Sequence, residues 1–394
     1  MEARRLAGVV AGLAEALADE YAGACTGCGV CSHVCPVYLA SRDPRLTPAA
    51  RIRAAVKLLR EGRLGEEEVR ALFTCTCCGA CTLACPFRLS PWLLLLLARY
   101  IAAEKGYAPG SLLRAREAAR RSLHSFTADP EAARRWLSSV EYSEAGDYLY
   151  VPTPVENYFY TRQAAVKVKL FRLLGIPAAV SGEAIDLGGN MAVDLACIDA
   201  AARALEKVFE EADKAGARWI IVSECGSDIK WSMELSRVIM EDTLSRRDLG
   251  RLIHIHEVLY KYLERSGLRV ARAGRAGLFT SCTAGRLKPW IYRRFTRRLV
   301  EASVEEVYEP RWRGRYVACC GGSCLNVVRE KWARGLRIAI GTSRIAAYPT
   351  DTIIVPCTKC YISFRQSLLA ARRRDKRIEL VSTTLYTALA KGQV

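Results

Sequence analysis

Several motifs that identify common enzyme classes are missing from this chain. Its 394 residues contain no Gly-x-Gly-x-x-Gly run, no Walker loop and no Gly-x-Ser-x-Gly run. These absences argue against an encoded nucleotide site, a flavin site or a serine nucleophile. Any demanding chemistry must therefore come from a cofactor that other residues hold.

Long apolar runs are missing too. Residues 92–97 are continuously apolar, but the run ends before Arg99, whereas a membrane-spanning helix needs about twenty such residues. Residues 4–17 imitate a signal peptide because two arginines precede an apolar stretch, yet Glu15 interrupts it and its apolar residues recur with helical spacing. We therefore predict an amphipathic amino-terminal helix, a buried helix from Pro91, and no membrane span.

Acidic side chains are in the minority. Lysine and arginine number 59 against 41 aspartates and glutamates, which gives a formal net charge of +18. The arginine-rich runs 292–298 and 372–377 contain no known nucleic-acid-binding motif, so we predict no nucleic-acid partner. Only three asparagines and three glutamines are present, and this depletion beside abundant arginine and glutamate is typical of a hyperthermophile with an ion-paired surface. The remaining charge suits an acidic redox partner or an anionic membrane surface.

Cysteine, in contrast, is abundant, with 17 residues in the chain. Eight of them form two arrays of the pattern C-x2-C-x2-C-x3-C-P, which is typical of two-cluster ferredoxins. The first array is Cys25, Cys28, Cys31 and Cys35, and the second is Cys75, Cys78, Cys81 and Cys85. In this pattern the fourth cysteine of each array reaches across to the other cluster. The spacing therefore predicts two [4Fe-4S] clusters, one on Cys25, Cys28, Cys31 and Cys85, the other on Cys75, Cys78, Cys81 and Cys35.

Other uses of cysteine fit this pattern less well. A single C-x2-C pair would suit a zinc half-site or a redox dithiol, but the proline-terminated pattern of eight cysteines fits neither. Clustered C-x2-C pairs also favour thiolate ligands over disulfides, and hence a reducing compartment such as the cytoplasm. Cys77 lies out of phase with the second array, and we interpret it as a buried small residue.

The residues between the two arrays are predicted to be helical. Thr47 can cap a helix that has Pro48 in its first turn, and a second short helix is expected at residues 66–73. Residues 1–105 therefore resemble the α-helical dicluster ferredoxin of respiratory iron-sulfur subunits. A helical linker is expected at residues 106–145.

Five further cysteines are regularly spaced in the second half of the chain. Thirty-six residues separate Cys282 from the pair Cys319-Cys320, and another 36 separate that pair from Cys357, which forms a C-x2-C motif with Cys360. β-prone runs precede each group, and helical patterns such as residues 287–300 lie between them; the runs are 277–281, 315–318 and 352–356. This order predicts βαβ units with cysteines at the carboxyl ends of strands, where open parallel sheets place their ligand sites. Five thiolates are expected to converge there.

These cysteines carry a resemblance to a known family. The pattern Cys282, Cys319-Cys320-Gly321, Cys357-Thr358-Lys359-Cys360 resembles the cysteine-rich CCG domain of heterodisulfide reductases. Its fusion behind a dicluster ferredoxin resembles the heterodisulfide reductase chain in which both parts are joined, and the iron-sulfur subunits of anaerobic glycerol-3-phosphate dehydrogenase and glycolate oxidase. The resemblance implies a noncubane [4Fe-4S] cluster on the five cysteines, which attacks the substrate disulfide in the disulfide-reducing members.

The family usually carries two CCG domains, and the first is predicted to be degenerate here. Residues 146–272 repeat the strand and helix pattern of residues 273–394, but Leu187-Gly188-Gly189 stands where the cysteine pair would be. In this repeat only Cys225, in the run Cys225-Gly226-Ser227-Asp228, occupies a ligand position. No noncubane cluster is therefore expected in the first repeat.

Four side chains leave alternatives open at this point. Cys225 and Asp228 suit either packing or a contact with substrate or a metal. Packing is the preferred interpretation of Cys197, near a predicted helix start, and of Cys324, although Cys324 also suits a thiol beside the CCG site. The histidines at positions 254 and 256 alternate on a predicted strand and are interpreted as sheet residues.

The whole sequence predicts a multidomain α+β and α/β protein, an α-helical dicluster ferredoxin followed by two CCG-type βαβ repeats. It suits the catalytic subunit of a heterodisulfide reductase-like oxidoreductase, which passes electrons to the CCG site and there reduces or forms a disulfide. It also suits an electron-relay subunit of a flavin-dependent glycolate, lactate or glycerol-3-phosphate dehydrogenase feeding a quinone or cytochrome. Both functions need a partner subunit, a membrane cytochrome b or a flavoprotein, so we expect a cytoplasmic subunit that can lie at the membrane through its partner.

Overall fold

The computed structural model describes residues 3–126, 129–241, 244 and 246–393. The amino-terminal part is helical, with 3-10 turns at Val30–Val34, Pro44–Leu46 and Pro130–Ser139. Its helices are α1 (Ala3–Ala24), α2 (Pro36–Ser41), α3 (Pro48–Glu61), α4 (Glu66–Phe73), α5 (Ala80–Ala84), α6 (Pro91–Glu104) and α7 (Gly110–Ser122).

Local sequence signals set the helices of this part. The Thr47 hydroxyl accepts a hydrogen bond from the Ala50 N–H at the start of α3, and Gly62 ends that helix in the left-handed conformation. The apolar run after Pro91 forms α6, which is buried because α1, α3 and α4 all pack against it. The predictions of an amphipathic first helix, a capped third helix and a buried helix at Pro91 are therefore confirmed.

The rest of the chain forms two α/β repeats, each built on a four-stranded parallel sheet. The first comprises β1 (Tyr148–Val151), α8 (Pro154–Tyr158), α9 (Thr161–Leu173), β2 (Ala178–Val180), α10 (Ile198–Lys214), β3 (Trp219–Val222), α11 (Gly226–Lys230), α12 (Ser236–Ile239), α13 (Arg246–Gly250), β4 (Leu252–His254) and α14 (Ile255–Ser266). The second comprises β5 (Arg275–Leu278), α15 (Arg297–Ser303), β6 (Glu306–Tyr308), α16 (Cys324–Val327), α17 (Lys331–Ile345), β7 (Thr352–Val355), α18 (Thr358–Ala370), β8 (Arg377–Leu380) and α19 (Val381–Gly392). The sheet orders β2-β1-β3-β4 and β6-β5-β7-β8 are the same, so the two units share one topology.

Two elements of the second repeat differ from the prediction. The strand expected at 315–318 is instead β6, because residues 306–308 pair with β5 while the 3-10 turn Gly314–Tyr316 occupies the predicted place. In the predicted run only Val317 is fully buried, so no face of a strand is covered there. The helix expected from residue 287 is interrupted at Lys288 and resumes at Pro289, and the π-helical segment Ile291–Thr296 then leads into α15.

A buried ion cluster stabilises the first repeat. The Lys167 ammonium on α9 contacts the carboxylate of Glu156 and lies 2.8 Å from that of Glu224, and all three side chains are fully buried. Burial alone would raise the pKa of Glu224, but Lys167 and a hydrogen bond with His256 hold it well below its usual range. The two carboxylates and the ammonium thus stabilise one another inside the protein.

The same cluster joins the two repeats. His256 lies 2.9 Å from Glu224 through Nε2 and 2.8 Å from the Thr296 hydroxyl through Nδ1. The Ser382 N–H and hydroxyl both donate to the Glu224 carboxylate, and Thr296 and Ser382 belong to the second repeat. The interpretation of both histidines as sheet residues is therefore wrong for His256, which lies in the first turn of α14 and not on β4.

Replacement of Lys167 by methionine tests how much this cluster contributes to the free energy of unfolding. We expect the Lys167→Met variant to lose about 3–5 kcal/mol of unfolding free energy, because two buried carboxylates then face each other without a cation. Lys207→Met is the control, since its partly exposed ammonium lies 3.8 Å from Glu183 and should contribute less than about 1 kcal/mol. Denaturant unfolding of both variants measures the difference, and equal losses would show that the cluster is not specially stabilising.

Candidate iron-sulfur and cysteine site

The first predicted cysteine set lines one cavity. Four thiol side chains line a small cavity together with Ile52 and Phe87; they are Cys25, Cys28, Cys31 and Cys85. Cys28 is exposed and the other three are partly buried. The structure thus brings Cys85 of the second array to the first array, as the spacing predicts, and the four sulfur donors suit an iron-sulfur cluster.

The second predicted set gathers around a buried arginine. The Arg51 guanidinium donates to the Cys35 sulfur at 3.4 Å and is almost inaccessible to solvent. Burial opposes its charge, but the nearby thiolates of Cys35, Cys75 and Cys81 raise the pKa of Arg51 above its usual value. Cys35 of the first array therefore lies with the second array, which is the reciprocal exchange that the pattern predicts.

The five cysteines of the second repeat form one connected group. The Cys319 thiol lies close to those of Cys282 and Cys320, and the Cys360 thiol lies close to those of Cys320 and Cys357. Cys282 follows β5, the pair follows the loop after β6, and Cys357 and Cys360 flank the start of α18. The convergence expected at the carboxyl edge of the sheet is present.

Backbone N–H groups point at the sulfur atoms of this group. The Gly321 N–H donates to the Cys319 sulfur at 3.4 Å, and the Gly226 N–H, from the first repeat, donates to Cys357 at 3.2 Å. Gly321 has a φ of +81°, a left-handed conformation that glycine adopts without strain. N–H donors of this kind stabilise the thiolate form that metal ligands require.

The buried cation Lys230 and the partly buried cation Arg344 lie near the same sulfurs. Burial opposes the charge of Lys230, yet the nearby thiols of Cys282 and Cys319 raise its pKa above the usual value. Arg344 is also close, although burial lowers its pKa more than the thiolates raise it. Because a thiolate-bound cluster is anionic, these cations fit the donor set for such a group.

A single metal ion is a poorer fit. Among residues 3–126, 129–241, 244 and 246–393, no three His, Cys, Asp or Glu side chains are arranged to hold one ion. An iron-sulfur cluster makes a different demand, since its thiolates bind several iron atoms spread over a larger volume. The sulfur-rich donor sets therefore suit clusters better than an isolated zinc ion.

The dicluster domain touches the second repeat through two cysteines. The Cys78 thiol of the second array lies close to that of Cys319, and the Thr76 hydroxyl lies 3.5 Å from the Cys319 sulfur. The Arg286 guanidinium donates to the Cys78 carbonyl at 2.9 Å and also contacts the Val317 carbonyl. Nothing in the sequence spacing indicated this contact, which places two predicted cluster sites next to each other.

The first repeat holds a counterpart of the cysteine site with other side chains. Gly188 has the same φ of +81° as Gly321, and its N–H donates to Asp186 at 2.8 Å as that of Gly321 donates to Cys319. Asp186 and Leu187 therefore occupy the places of the cysteine pair, one residue earlier than predicted. Cys225 and Asp228 occupy the places of Cys357 and Cys360 by their positions after β3 and β7. Of these four positions in the first repeat, one carries a thiol.

The three surplus cysteines are buried. Cys77 contacts the Arg99 guanidinium, and Cys197 precedes α10 and lies 3.5 Å from the Asp199 carboxylate. Burial raises the pKa of Cys324 to about 12, with Arg99 close by. Packing in the interior describes the observed setting of all three.

Comparison with known families bears on the dicluster part. Residues 21–89 match the family of the 4Fe-4S dicluster domain. This segment contains both proline-terminated arrays, so the chain carries a domain of iron-sulfur electron transfer. The comparison with curated proteins yields no match. In the part of the chain that the structure describes, no helix is long and apolar enough to cross a membrane.

Single cysteine replacements distinguish the two repeats. We expect Cys320→Ser and Cys357→Ser to remove the EPR signal of a third cluster and about four iron atoms per chain, because a hydroxyl replaces a thiolate ligand poorly. Cys225→Ser is the matched control and should retain both. Loss of the third signal in the Cys225 variant together with its retention in the Cys320 variant would contradict the assignment of the repeats.

Proposed function

We propose that the chain is the iron-sulfur subunit of an oxidoreductase that reduces or forms a disulfide at the cysteine group of the second repeat. Two [4Fe-4S] cubanes would be held by the crossed sets Cys25, Cys28, Cys31, Cys85 and Cys75, Cys78, Cys81, Cys35. A noncubane [4Fe-4S] cluster would be held by Cys282, Cys319, Cys320, Cys357 and Cys360. The observation that carries the proposal is the convergence of five thiols, one of which, Cys319, lies close to Cys78 of the dicluster domain.

The reaction needs electrons and protons in equal number. Reduction of a disulfide breaks the S–S bond, consumes two electrons and two protons, and yields two thiols. The clusters, when bound, supply the electrons one at a time. The contact between Cys78 and Cys319 gives them a protein-bound path from the dicluster domain to the second repeat.

The protein's own part is to shape and charge the site. Cys319, Cys320, Cys357 and Cys360 are buried, whereas Cys282 is partly exposed, so substrate would approach from the side of Cys282. Lys230 and the Gly226 N–H, both from the first repeat, face this group and favour negative charge on sulfur. Sulfur that becomes a thiolate during the reaction would be stabilised by the same groups.

The second candidate is an electron relay without disulfide chemistry. It is favoured by the first repeat, in which aspartates and leucine stand at three of the four matched cysteine positions. In this case the chain would take electrons from a flavoprotein dehydrogenase and deliver them to a quinone or a membrane cytochrome b. A cytoplasmic location, with attachment to the membrane through the partner, suits both candidates.

Disulfide turnover by the anaerobically purified full chain separates the two candidates. With reduced methyl viologen as donor, and cystine and glutathione disulfide as probes, we expect two viologen radicals to be oxidised per disulfide cleaved. Cys357→Ser should lower this rate roughly a hundredfold or more while the dicluster EPR signals persist, and Cys225→Ser should not. The relay would be favoured if the native chain, with all clusters bound, cleaves neither probe but reduces a quinone, and if Cys357→Ser leaves the rate of quinone reduction unchanged.

A further inference from the structure

Exposed apolar side chains lie on segments next to the first cysteine set. Four of them form what we call the apolar collar: Val30 (44% exposed), Val34 (37%), Leu83 (41%) and Phe87 (49%). The 3-10 turn with the two valines contacts α5, which carries Leu83, and Phe87 lines the cavity of the first cysteine set. The collar residues therefore belong to adjoining segments of the dicluster domain.

The collar is free of carboxylates in the sequence around it. No acidic residue occurs between Glu20 and Asp43 or between Glu68 and Glu104, although both segments contain basic residues. The exposed side chains of His33 and Arg88 lie next in sequence to collar residues. The surface around the first set is therefore apolar at its centre and weakly basic at its rim.

The exposure of the cysteines indicates which cysteine set a protein donor can approach. Cys28 in the first set is exposed, whereas four of the five thiols in the second repeat are buried. Electron transfer from a protein donor requires close approach to a cluster, and the collar lies beside the cysteine set that contains the exposed Cys28. An apolar centre with a polar rim is typical of a protein interface.

We propose that the apolar collar is the docking surface for a redox protein whose own face has an apolar centre and a rim of carboxylates. In each encounter one electron would leave the partner's reduced centre and pass to the cluster that Cys25, Cys28, Cys31 and Cys85 would hold. The proposal rests on the proposed cubane at this set and not on the disulfide reaction. The carboxylate rim of the partner complements the surface charge and the net charge of +18, which steers the encounter.

Substitutions that place a carboxylate in the collar test the proposal. We expect Phe87→Glu and Val34→Glu to lower the second-order rate constant of reduction by a reduced acidic two-[4Fe-4S] ferredoxin at least about tenfold. Leu369→Glu is the matched control, because Leu369 is a 74% exposed apolar residue on α18 and should change the rate less than about twofold. Stopped-flow measurement on the full chain also should show a rate that falls with rising salt.

The integrity of the clusters, the rate constant of reduction and the oligomeric state decide between the outcomes. In both variants, reduction by dithionite and the EPR signals should match those of the native chain. Val34 does not line the cavity, so the Val34→Glu variant still tests the proposal if Phe87→Glu disturbs the cluster. Native rate constants in a Val34→Glu chain with intact clusters would overturn the proposal. Loss of a dimer in sedimentation without a change in rate would also overturn it, because the occupant would then be a second copy. This test uses no disulfide, so its outcome does not depend on whether the chain cleaves disulfides, and the two proposals can be refuted separately.

Discussion

The contact between Cys78 and Cys319 is the constraint on which the arrangement of the three domains depends. It requires the second array of the dicluster domain to lie at the carboxyl edge of the second sheet. Arg286 holds this junction by contacting carbonyl groups on both sides, and Arg99 on α6 reaches the Val193 carbonyl of the first repeat at 3.2 Å. Under the proposed function, this packing would hold the second array beside the cysteine group of the second repeat, so that electrons could pass between clusters bound at the two sites.

Charge compensation makes such a junction possible in a protein interior. Thiolates and carboxylates there would be unstable alone, and the buried cations Arg51, Arg99, Lys230 and Lys359 lie among them. Each is disfavoured by burial, and each has its pKa raised by the neighbouring anions. Part of the excess positive charge, which the sequence led us to place on the surface, is thus internal and matched to sulfur.

What the sequence predicted well is local in origin. The bounds of α4 follow from the local pattern at residues 66–73, and the dicluster domain was recognisable from the spacing of its own cysteine arrays. Features set by distant partners were not predictable. The strand β6 exists because it pairs with β5, and His256 is placed by Glu224 and Thr296, so neither can be read from its own neighbours in the chain.

The first repeat contributes contacts to the cysteine group of the second repeat. In the first repeat, the carboxylates of Asp186 and Asp228 occupy the positions that match Cys319 and Cys360, so this repeat lacks the thiolate ligands that a cluster prefers. The same repeat nonetheless supplies the Gly226 N–H to Cys357, and a side chain at Gly226 would collide with Thr283, since a Cβ there would lie 2.7 Å from its hydroxyl. Lys359 reaches back from the second repeat to contact Asp194 of the first. Because these contacts cross the junction, residues of both repeats together form the surroundings of the cysteine group in the second repeat.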